Sequence, residues 1–299
     1  MPDENKPVLV LGATGKQGGS TARYLLERGW TVRAFVRDPD APRAKELREL
    51  GASLHTGDLE DAESVRAAMK GAYGVFSIQT PMTPAGVEGE ERQGKICADA
   101  ARDLGVQHYV HSSVGGAERP EGVNWRLSKL AIEQRIQENE LAFTFLRPSY
   151  FMENLNHDMS PLVMEDGVLT FRRGLGPTNT LQMISGPDIG YFAADAFDDP
   201  GTFVGAKIEL AGDELTGEQI ADAFGRHTGL PARFVSVPIP ELRRTGFEWQ
   251  AISYTWLNGI GYHADIPALR ARFPGLLTLD QWLARTGWAP MDPAGAGTR

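Results

Sequence analysis

The feature that most constrains this chain is a glycine-rich stretch near its start, directly after four apolar residues at 8–11. The apolar run predicts a short buried strand. After the glycines, the spacing of Ala22, Leu25 and Leu26 predicts a helix. A strand, a glycine turn and a helix in this order form the cradle that holds the pyrophosphate of a dinucleotide.

Each glycine of this stretch has a separate expected role. Gly12 permits a tight turn, Gly15 lets the backbone approach a pyrophosphate, and Gly18 lets the helix pack closely on the strand. Free N–H groups at the start of the helix would then face the phosphates. We predict cofactor contacts for Gly12, Ala13, Thr14, Gly15, Gln17 and Gly18. The alternative is a turn that uses glycine only for its backbone freedom.

Short apolar strands alternate with helical segments through the first half of the chain. Strands are predicted at residues 8–11, 31–36, 53–56, 75–78, 106–111 and 143–146. This alternation is typical of an α/β fold of the Rossmann type, with a doubly wound parallel sheet. Such sheets bind ligands beyond the carboxyl ends of their strands. One crevice should therefore collect the loops that begin at Gly12, Arg37, Asp58, Gln79, Ser112 and Pro148.

Beyond residue 150 the alternation loosens, and glycine and proline punctuate shorter segments. We predict a dinucleotide-binding Rossmann domain over residues 1–150. A smaller C-terminal α/β subdomain, over residues 151–289, would pack on it and serve the substrate or a partner. Residues 290–299 are small and polar, and we predict a disordered tail there.

Charge and cysteine content exclude several classes of function. A formal net charge of −9 over 299 residues argues against a nucleic-acid or anionic membrane surface. The single cysteine, Cys97, rules out an intrachain disulfide and predicts a reducing, cytoplasmic location. The polar N-terminus does not look like a signal peptide, and no apolar run approaches the ~20 residues of a membrane span. His108 and His111 fall on opposite faces of one predicted strand, so we expect no metal site.

The residues after the second predicted strand favour NADP(H) over NAD(H). An acidic residue there would bind the ribose hydroxyls of NAD, whereas an arginine would bind the 2′-phosphate of NADP. Arg37 comes first and Asp38 follows it. The alternative is a surface Arg–Asp pair without a ligand. After the third strand, Asp58 and Leu59 are predicted to contact the adenine.

Several segments together resemble the NmrA-like (HSCARG-like) family of atypical short-chain dehydrogenase/reductases. They are the glycine loop with its G-x-x-G-x-x-G spacing, Val36–Pro39, Gly57–Leu59, Asn124–Lys129, Leu146–Asn154 and Leu279–Leu283. The resemblance implies a Rossmann fold with bound NADP(H). It also implies one of two roles, because members divide between cofactor-sensing regulators that bind proteins and reductases of quinones or related acceptors.

The catalytic pattern of ordinary short-chain dehydrogenases is incomplete. Those enzymes place a tyrosine four residues before a lysine, and the tyrosine delivers the proton that balances the hydride. Here the lysine is Lys129, but Trp125 stands at the tyrosine position, and an indole N–H is not usefully acidic. This argues against alcohol–ketone interconversion. It leaves open hydride delivery to a quinone or conjugated acceptor, whose reduced form can take a proton from water.

Other candidates complete the predicted site, each with a plainer alternative. Lys129 would hold the cofactor ribose, or be a solvated helix lysine. By the resemblance, Ser112 would orient a substrate; the alternative is that it caps a helix or a turn. By the resemblance, Tyr150 and Phe151 would pack near the nicotinamide, or be ordinary core. Gln79 and Thr80 would lie beside the ribose or nicotinamide.

Two functions therefore stay open at this point. The first is an NADPH-dependent reductase of a quinone-like or conjugated small molecule. The second is a non-catalytic NADP(H) sensor that regulates a protein partner. The sequence leaves the oligomeric state, monomer or homodimer, undecided.

Overall fold

The computed structural model describes residues 6–156 and 162–290. The predicted tail falls almost wholly outside these residues. In chain order, the strands are β1 (Val8–Val10), β2 (Val32–Val36), β3 (Ser53–Thr56), β4 (Gly74–Ser77), β5 (His108–Ser112), β6 (Phe143–Pro148), β7 (Tyr150–Phe151), β8 (Leu162–Glu165), β9 (Val168–Arg173), β10 (Thr180–Ile184), β11 (Lys207–Leu210), β12 (Asp213–Thr216) and β13 (Ala232–Ser236).

The α-helices follow in chain order. They are α1 (Lys16–Glu27), α2 (Pro42–Glu49), α3 (Ala62–Met69), α4 (Gly86–Asp103), α5 (Asn124–Glu138), α6 (Gly186–Asp198), α7 (Pro200–Phe203), α8 (Gly217–Thr228), α9 (Ile239–Arg244), α10 (Glu248–Gly259), α11 (Ile266–Arg272) and α12 (Leu279–Thr286). A 3-10 turn covers Met152–Leu155.

The chain forms two compact units, and neither is one continuous segment. The first unit comprises residues 1–120, 124–148 and 186–208, and the second comprises 121–123, 149–185 and 209–299. The chain first passes to the second unit at residue 121, returns at 124 and passes again at 149; the predicted domain boundary at 150 stays a prediction. The return of residues 186–208 to the first unit was not predicted. The assignment of cofactor and substrate roles to two domains stays a prediction.

The first unit is built on a seven-stranded sheet with the order β11-β6-β5-β4-β1-β2-β3. Its strand pairs are parallel, with Val8 opposite Val32 on one side and Gly74 on the other. Hydrogen bonds from Phe145 to Ala206 and from Ser149 to Leu210 keep β11 in the same direction as β6. The predicted α/β Rossmann-type sheet is confirmed.

Burial on both faces explains why β1 is wholly apolar, whereas β5 is equally buried and carries His108, His111 and Ser112. All of β1 is inaccessible to solvent, and β4 and β5 are buried throughout. On one side of the sheet, α1 packs against α6. This contact is close because Gly190 has no side chain: a Cβ there would lie 2.6 Å from the backbone carbon of Ser20.

The second unit contains two small three-stranded sheets. One has the order β12-β10-β7 and the other β13-β9-β8. Thr216 caps α8 in a reciprocal arrangement with Gln219. The strand-like residues at 181–184 and the helical patterns at 216–227 and 279–288 correspond to β10, α8 and α12, whereas no sequence pattern indicated β8, β9, α9 or α10.

Candidate functional site

The glycine loop begins where the order of the sheet reverses. β1 lies between β2 and β4, so the strands that follow β1 along the chain divide to its two sides. Gly12, directly after the buried Leu11, has φ +63°, a conformation that favours glycine. A Cβ at Gly12 would also lie 2.9 Å from the Ile78 side chain. The loop therefore opens at the place where α/β sheets of this kind bind ligands.

The start of α1 carries unused backbone donors. Its N-cap is Gly15, which has no side chain to cap the helix, and the first turn has no acidic residue. Gly18 packs on the turn itself, since a Cβ there would lie 2.3 Å from the carbonyl oxygen of Gly12. The N–H groups of a helix start attract anions. This cradle thus fits the pyrophosphate of a dinucleotide, and a Cβ at Gly18 would displace the backbone that forms it.

Two arginines approach this loop from the β2 side. Arg37 is exposed directly after β2 and has no hydrogen bond or ion pair with the residues described. Arg43, on the first turn of α2, donates from Nη1 to the carbonyl of Thr14 at 3.0 Å. Asp38 accepts the backbone N–H of Asp40 at 2.8 Å and so shapes the turn after Arg37. The sequence analysis did not predict Arg43 as a site residue, although Pro42 before it is a typical first helical residue.

Asp58 and Leu59 lie at the end of β3, but their side chains have local partners. The Asp58 carboxylate accepts the N–H of Glu60 at 2.9 Å, and the residue is exposed. Leu59 is half-buried and packs on the core of the first unit. Their predicted adenine contacts stay predictions.

Gln79 and Thr80 follow β4, as predicted. Gln79 is buried, and its amide donates to the hydroxyl of Ser77 at 3.0 Å. Its Oε1 is buried without a hydrogen-bond partner among the described residues. Thr80 is exposed and accepts the N–H of Met82. An unpaired buried amide oxygen is costly, and a donor on a ligand or a water would satisfy it.

Ser112 and Gln17, both predicted site residues, bind each other. The Ser112 hydroxyl donates to Gln17 Oε1 at 2.5 Å, and Ser112 is fully buried. The structure thus connects the end of β5 to α1. The Ser112 proton is used in this hydrogen bond, so donation from Ser112 to a substrate would require its exchange, and the orienting role stays a prediction.

Lys129 is a buried group and not a solvated helix lysine. Its residue is 8% exposed, and its ammonium donates to the carbonyl of Gln79 at 2.7 Å. The ammonium also lies 3.0 Å from Oε1 of Glu90, which is fully buried on α4. The second carboxylate oxygen of Glu90 accepts the hydroxyl of Ser128. The predicted site residues Gln79 and Lys129 are thereby brought together.

Sequence reasoning missed Glu90, although a signal was present. Cys97, Ala98 and Ala101 mark the inner face of α4, and all three are buried. Counting back seven residues from Cys97, two helical turns, gives Glu90 on the same face. The surrounding run of charged residues hid this periodicity.

Burial keeps two further groups near this cluster uncharged. Burial, and secondarily the Lys129 charge, lowers the pKa of His111 well below its usual value. Burial also raises the pKa of the Cys97 thiol to about 12, so it is not a reactive thiolate. Within residues 6–156 and 162–290 there is no group of three or more His, Cys, Asp or Glu side chains placed to hold a metal ion. No helix in those ranges has the length and apolar character of a membrane span.

Tyr150 and Phe151 belong to the second unit. They form β7, which pairs with Met183 and Ile184 of β10, and both are half-buried. Tyr254 of α10 is a neighbour: burial, and secondarily Tyr150, raises the pKa of its phenol well above the usual value. The predicted nicotinamide contacts of Tyr150 and Phe151 stay predictions. This unit also has an open groove of about 590 Å³ beside α9 and α10.

The comparisons with known proteins agree with this geometry. Residues 4–256 match the model of the NmrA-like family. An NAD(P)H azoreductase from Xenophilus azovorans is 30% identical over 237 residues, 79% of this chain and 79% of that one.

Two solved structures have a similar fold at low sequence identity. The NADPH-dependent quinone oxidoreductase QOR2 of Escherichia coli, complexed with NADPH, is 21% identical with a TM-score of 0.80, covering 94% of this chain and 100% of that one. NmrA, a negative transcriptional regulator, in complex with NADP, is 22% identical with a TM-score of 0.77, covering 94% of each chain.

Proposed function

The chain belongs to the NmrA-like family, and on that premise we propose that it is an NADPH-dependent reductase of a quinone-like or other conjugated small molecule. The observation that carries the cofactor proposal is the uncapped, glycine-built start of α1 at the reversal point of the sheet. The names of the azoreductase relative and of the quinone oxidoreductase with a similar fold support the class of acceptor.

Two cations support NADP(H) over NAD(H). Arg37 is exposed at the end of β2, and Arg43 lies against the carbonyl of Thr14. An arginine fork matches a phosphate, and a second cation beside it strengthens such a contact. Asp38 is the residue that would favour NAD(H), but one of its carboxylate oxygens accepts the N–H of Asp40.

Lys129 keeps donor capacity for a ligand. An ammonium has three N–H groups. In the described part of the chain, Gln79 O accepts one of them, and Glu90 Oε1 lies 3.0 Å away as an ion-pair partner without hydrogen-bond geometry. A free N–H can donate to a ribose hydroxyl at the end of β4, which is the role proposed for this lysine.

The reduction of the acceptor must not require a proton from the side chain at position 125. Bound NADPH would supply a hydride. Trp125, half-buried at the start of α5, cannot deliver the accompanying proton. Quinones and azo compounds meet this condition, because their reduced forms take protons from water.

The decisive experiment combines binding with turnover. NADPH binding is measured by the fluorescence of the reduced nicotinamide, and absorbance at 340 nm is then followed with a panel of quinones and azo dyes. We expect tight binding and turnover of at least one acceptor. Tight binding without turnover across the panel would contradict the reductase proposal.

A substitution tests the phosphate assignment separately. We expect Arg37→Ala to weaken NADPH binding by about 10- to 100-fold, the loss of a charge-assisted contact, and NADH binding by less than twofold. The matched control is Arg33→Ala on β2, because the Arg33 guanidinium instead binds the carbonyls of Ala68 and Lys70. Equal losses for both cofactors in Arg37→Ala would refute the assignment.

A non-catalytic sensor is the second candidate, and Trp125 is the observation that favours it. NmrA, which has a similar fold, is described as a negative transcriptional regulator. A sensor requires a protein partner whose affinity differs between the cofactor-bound and free forms. Binding without turnover in the experiment above, together with a partner captured only when NADPH is present, would support this candidate instead.

A further inference from the structure

Two consecutive residues of α5 hold both oxygens of one buried carboxylate. Ser128 donates to Oε2 of Glu90, and Lys129 lies 3.0 Å from Oε1. Glu90 is 0% exposed and Ser128 1% exposed, so water does not solvate this carboxylate. A buried charge of this kind is tolerated only with a close counter-charge and further hydrogen bonds. Lys129 is that counter-charge.

The same ammonium also connects to the edge of the sheet where the glycine loop begins. It donates to the carbonyl of Gln79, two residues after β4. Ile78, the preceding residue, is the one whose side chain a Cβ at Gly12 would meet. Lys129 is therefore held between a carboxylate on α4 and a carbonyl beside the cofactor cradle.

We propose that Glu90 is a positioning residue, which directs the ammonium of Lys129 to the end of β4. This inference rests on the proposed function, because it takes the ligand at that edge to be NADPH. Without the carboxylate, the mostly buried ammonium has no counter-charge beside it and turns toward water. Its remaining donors are then lost to the ligand.

A purely structural role would give a different energetic pattern. If Glu90 merely joined α4 to α5, its replacement would lower stability and impair binding whether or not residue 129 were lysine. If Glu90 acts through Lys129, its replacement has no further effect on binding once the lysine is gone.

The test is a double-mutant cycle in the full chain with Glu90→Gln, Lys129→Met and the double variant. NADPH dissociation constants are measured by fluorescence, and KM for the acceptor is measured in the 340 nm assay. We expect each single variant to weaken NADPH binding about tenfold, the value of one charge-assisted hydrogen bond. The double variant should match Lys129→Met within twofold, and KM for the acceptor should stay within twofold of wild type. Losses that multiply, or a Glu90→Gln variant that binds like wild type, would overturn the proposal.

Two further variants keep the result interpretable. Glu91→Gln is the matched control, because this neighbouring acid pairs with Lys95 and is partly exposed, and we expect wild-type binding. If Glu90→Gln fails to fold, Ser128→Ala replaces it in the cycle. We then expect a loss of about two- to threefold that disappears in the Lys129→Met background, and its persistence there would overturn the proposal. Failure of the wild-type chain to bind NADPH would refute the proposed function itself, whereas wild-type binding with a multiplicative cycle would refute only the role of Glu90.

Discussion

Within the first unit, the glycine loop and the buried face of α5 have opposite structural requirements. The loop offers backbone N–H groups at an open edge, and at Gly12, Gly15 and Gly18 it has no side chain. The buried face of α5, by contrast, carries Lys129 and Glu133, opposite charges four residues apart. Each is matched by a partner on another element, Glu90 on α4 and Arg147 on β6. Side-chain atoms added to the glycine loop should therefore destabilise it, whereas the buried face of α5 should be destabilised by the loss of a charged group.

The largest expected effect comes from breaking the second charge pair. Arg147 and Glu133 are 4% and 1% exposed and bind through two contacts of 3.0 and 2.6 Å. Glu133→Ala leaves the guanidinium with only the half-exposed Glu118. We expect the free energy of unfolding to fall by about 3 kcal/mol, near the lower end for a broken buried pair.

Urea unfolding at pH 7 measures this loss. Glu138→Ala, on the same helix, is the control: its carboxylate is exposed and pairs with Arg135 at 3.3 Å. Such an exposed pair should contribute less than about 0.5 kcal/mol. Equal losses in the two variants would remove the contrast between buried and surface charge on α5.

Adding one methyl group to the glycine loop should have the next largest effect. In Gly18→Ala the new Cβ meets the Gly12 carbonyl oxygen, a backbone atom that cannot swing aside. We expect a stability loss of about 1–3 kcal/mol and NADPH binding weakened by at least about tenfold. Gly201→Ala in α7 is the control, since its nearest neighbour would be 3.8 Å away. A Gly18→Ala variant with normal stability and binding would show that the loop can accommodate a Cβ at position 18.

The smallest expected effect is a change in the pH dependence of stability. The pKa of His111 is lowered in the folded chain, so the unfolded chain binds its proton first as the pH falls below about 6.5. Stability should therefore fall from pH 7 toward pH 5, by at most about 1.4 kcal/mol per pH unit for each such histidine. His108 acts in the same direction, because burial lowers its pKa to about 4.

Denaturant midpoints at several pH values test this expectation. His111→Gln should give a shallower slope than wild type, with the remaining slope due largely to His108. Replacing the exposed His263 controls for the general effect of losing a histidine. A His111→Gln variant with the wild-type slope would mean that His111 takes up no proton on unfolding.

The sequence predicted features that the backbone determines and missed those that depend on partners. Gly12 and Gly18 could be assigned because turn geometry and close approach leave glycine as the only choice. Asp61 precedes a helical pattern and is a typical cap residue, and its side chain accepts the N–H of Glu63. Glu90 was missed because its spacing from Cys97 is hidden among charged residues, and because the lysine that pairs with it lies 39 residues later.

The second unit was less predictable for a related reason. β8 and β9 mix charged and apolar residues. Val163 of β8 and Arg172 of β9 are exposed to solvent. These strands are short and partly solvated, so they lack the strong apolar signal of a strand buried on both sides. Tertiary pairing, such as that of Phe171 with Phe234, decides their structure.

β11 is synthesised long after β6, its neighbour in the sheet, and this delay affects folding during translation. β6 ends at Pro148, but its neighbour in the sheet begins only at Lys207, after the whole segment from β7 to α7 has been synthesised. At ribosomal speeds this interval lasts roughly 3–12 s. During that time the nascent sheet has β6 as a bare edge, a surface prone to pairing with other chains. We therefore expect translation pauses or truncations between residues 149 and 206 to be sites of aggregation during synthesis.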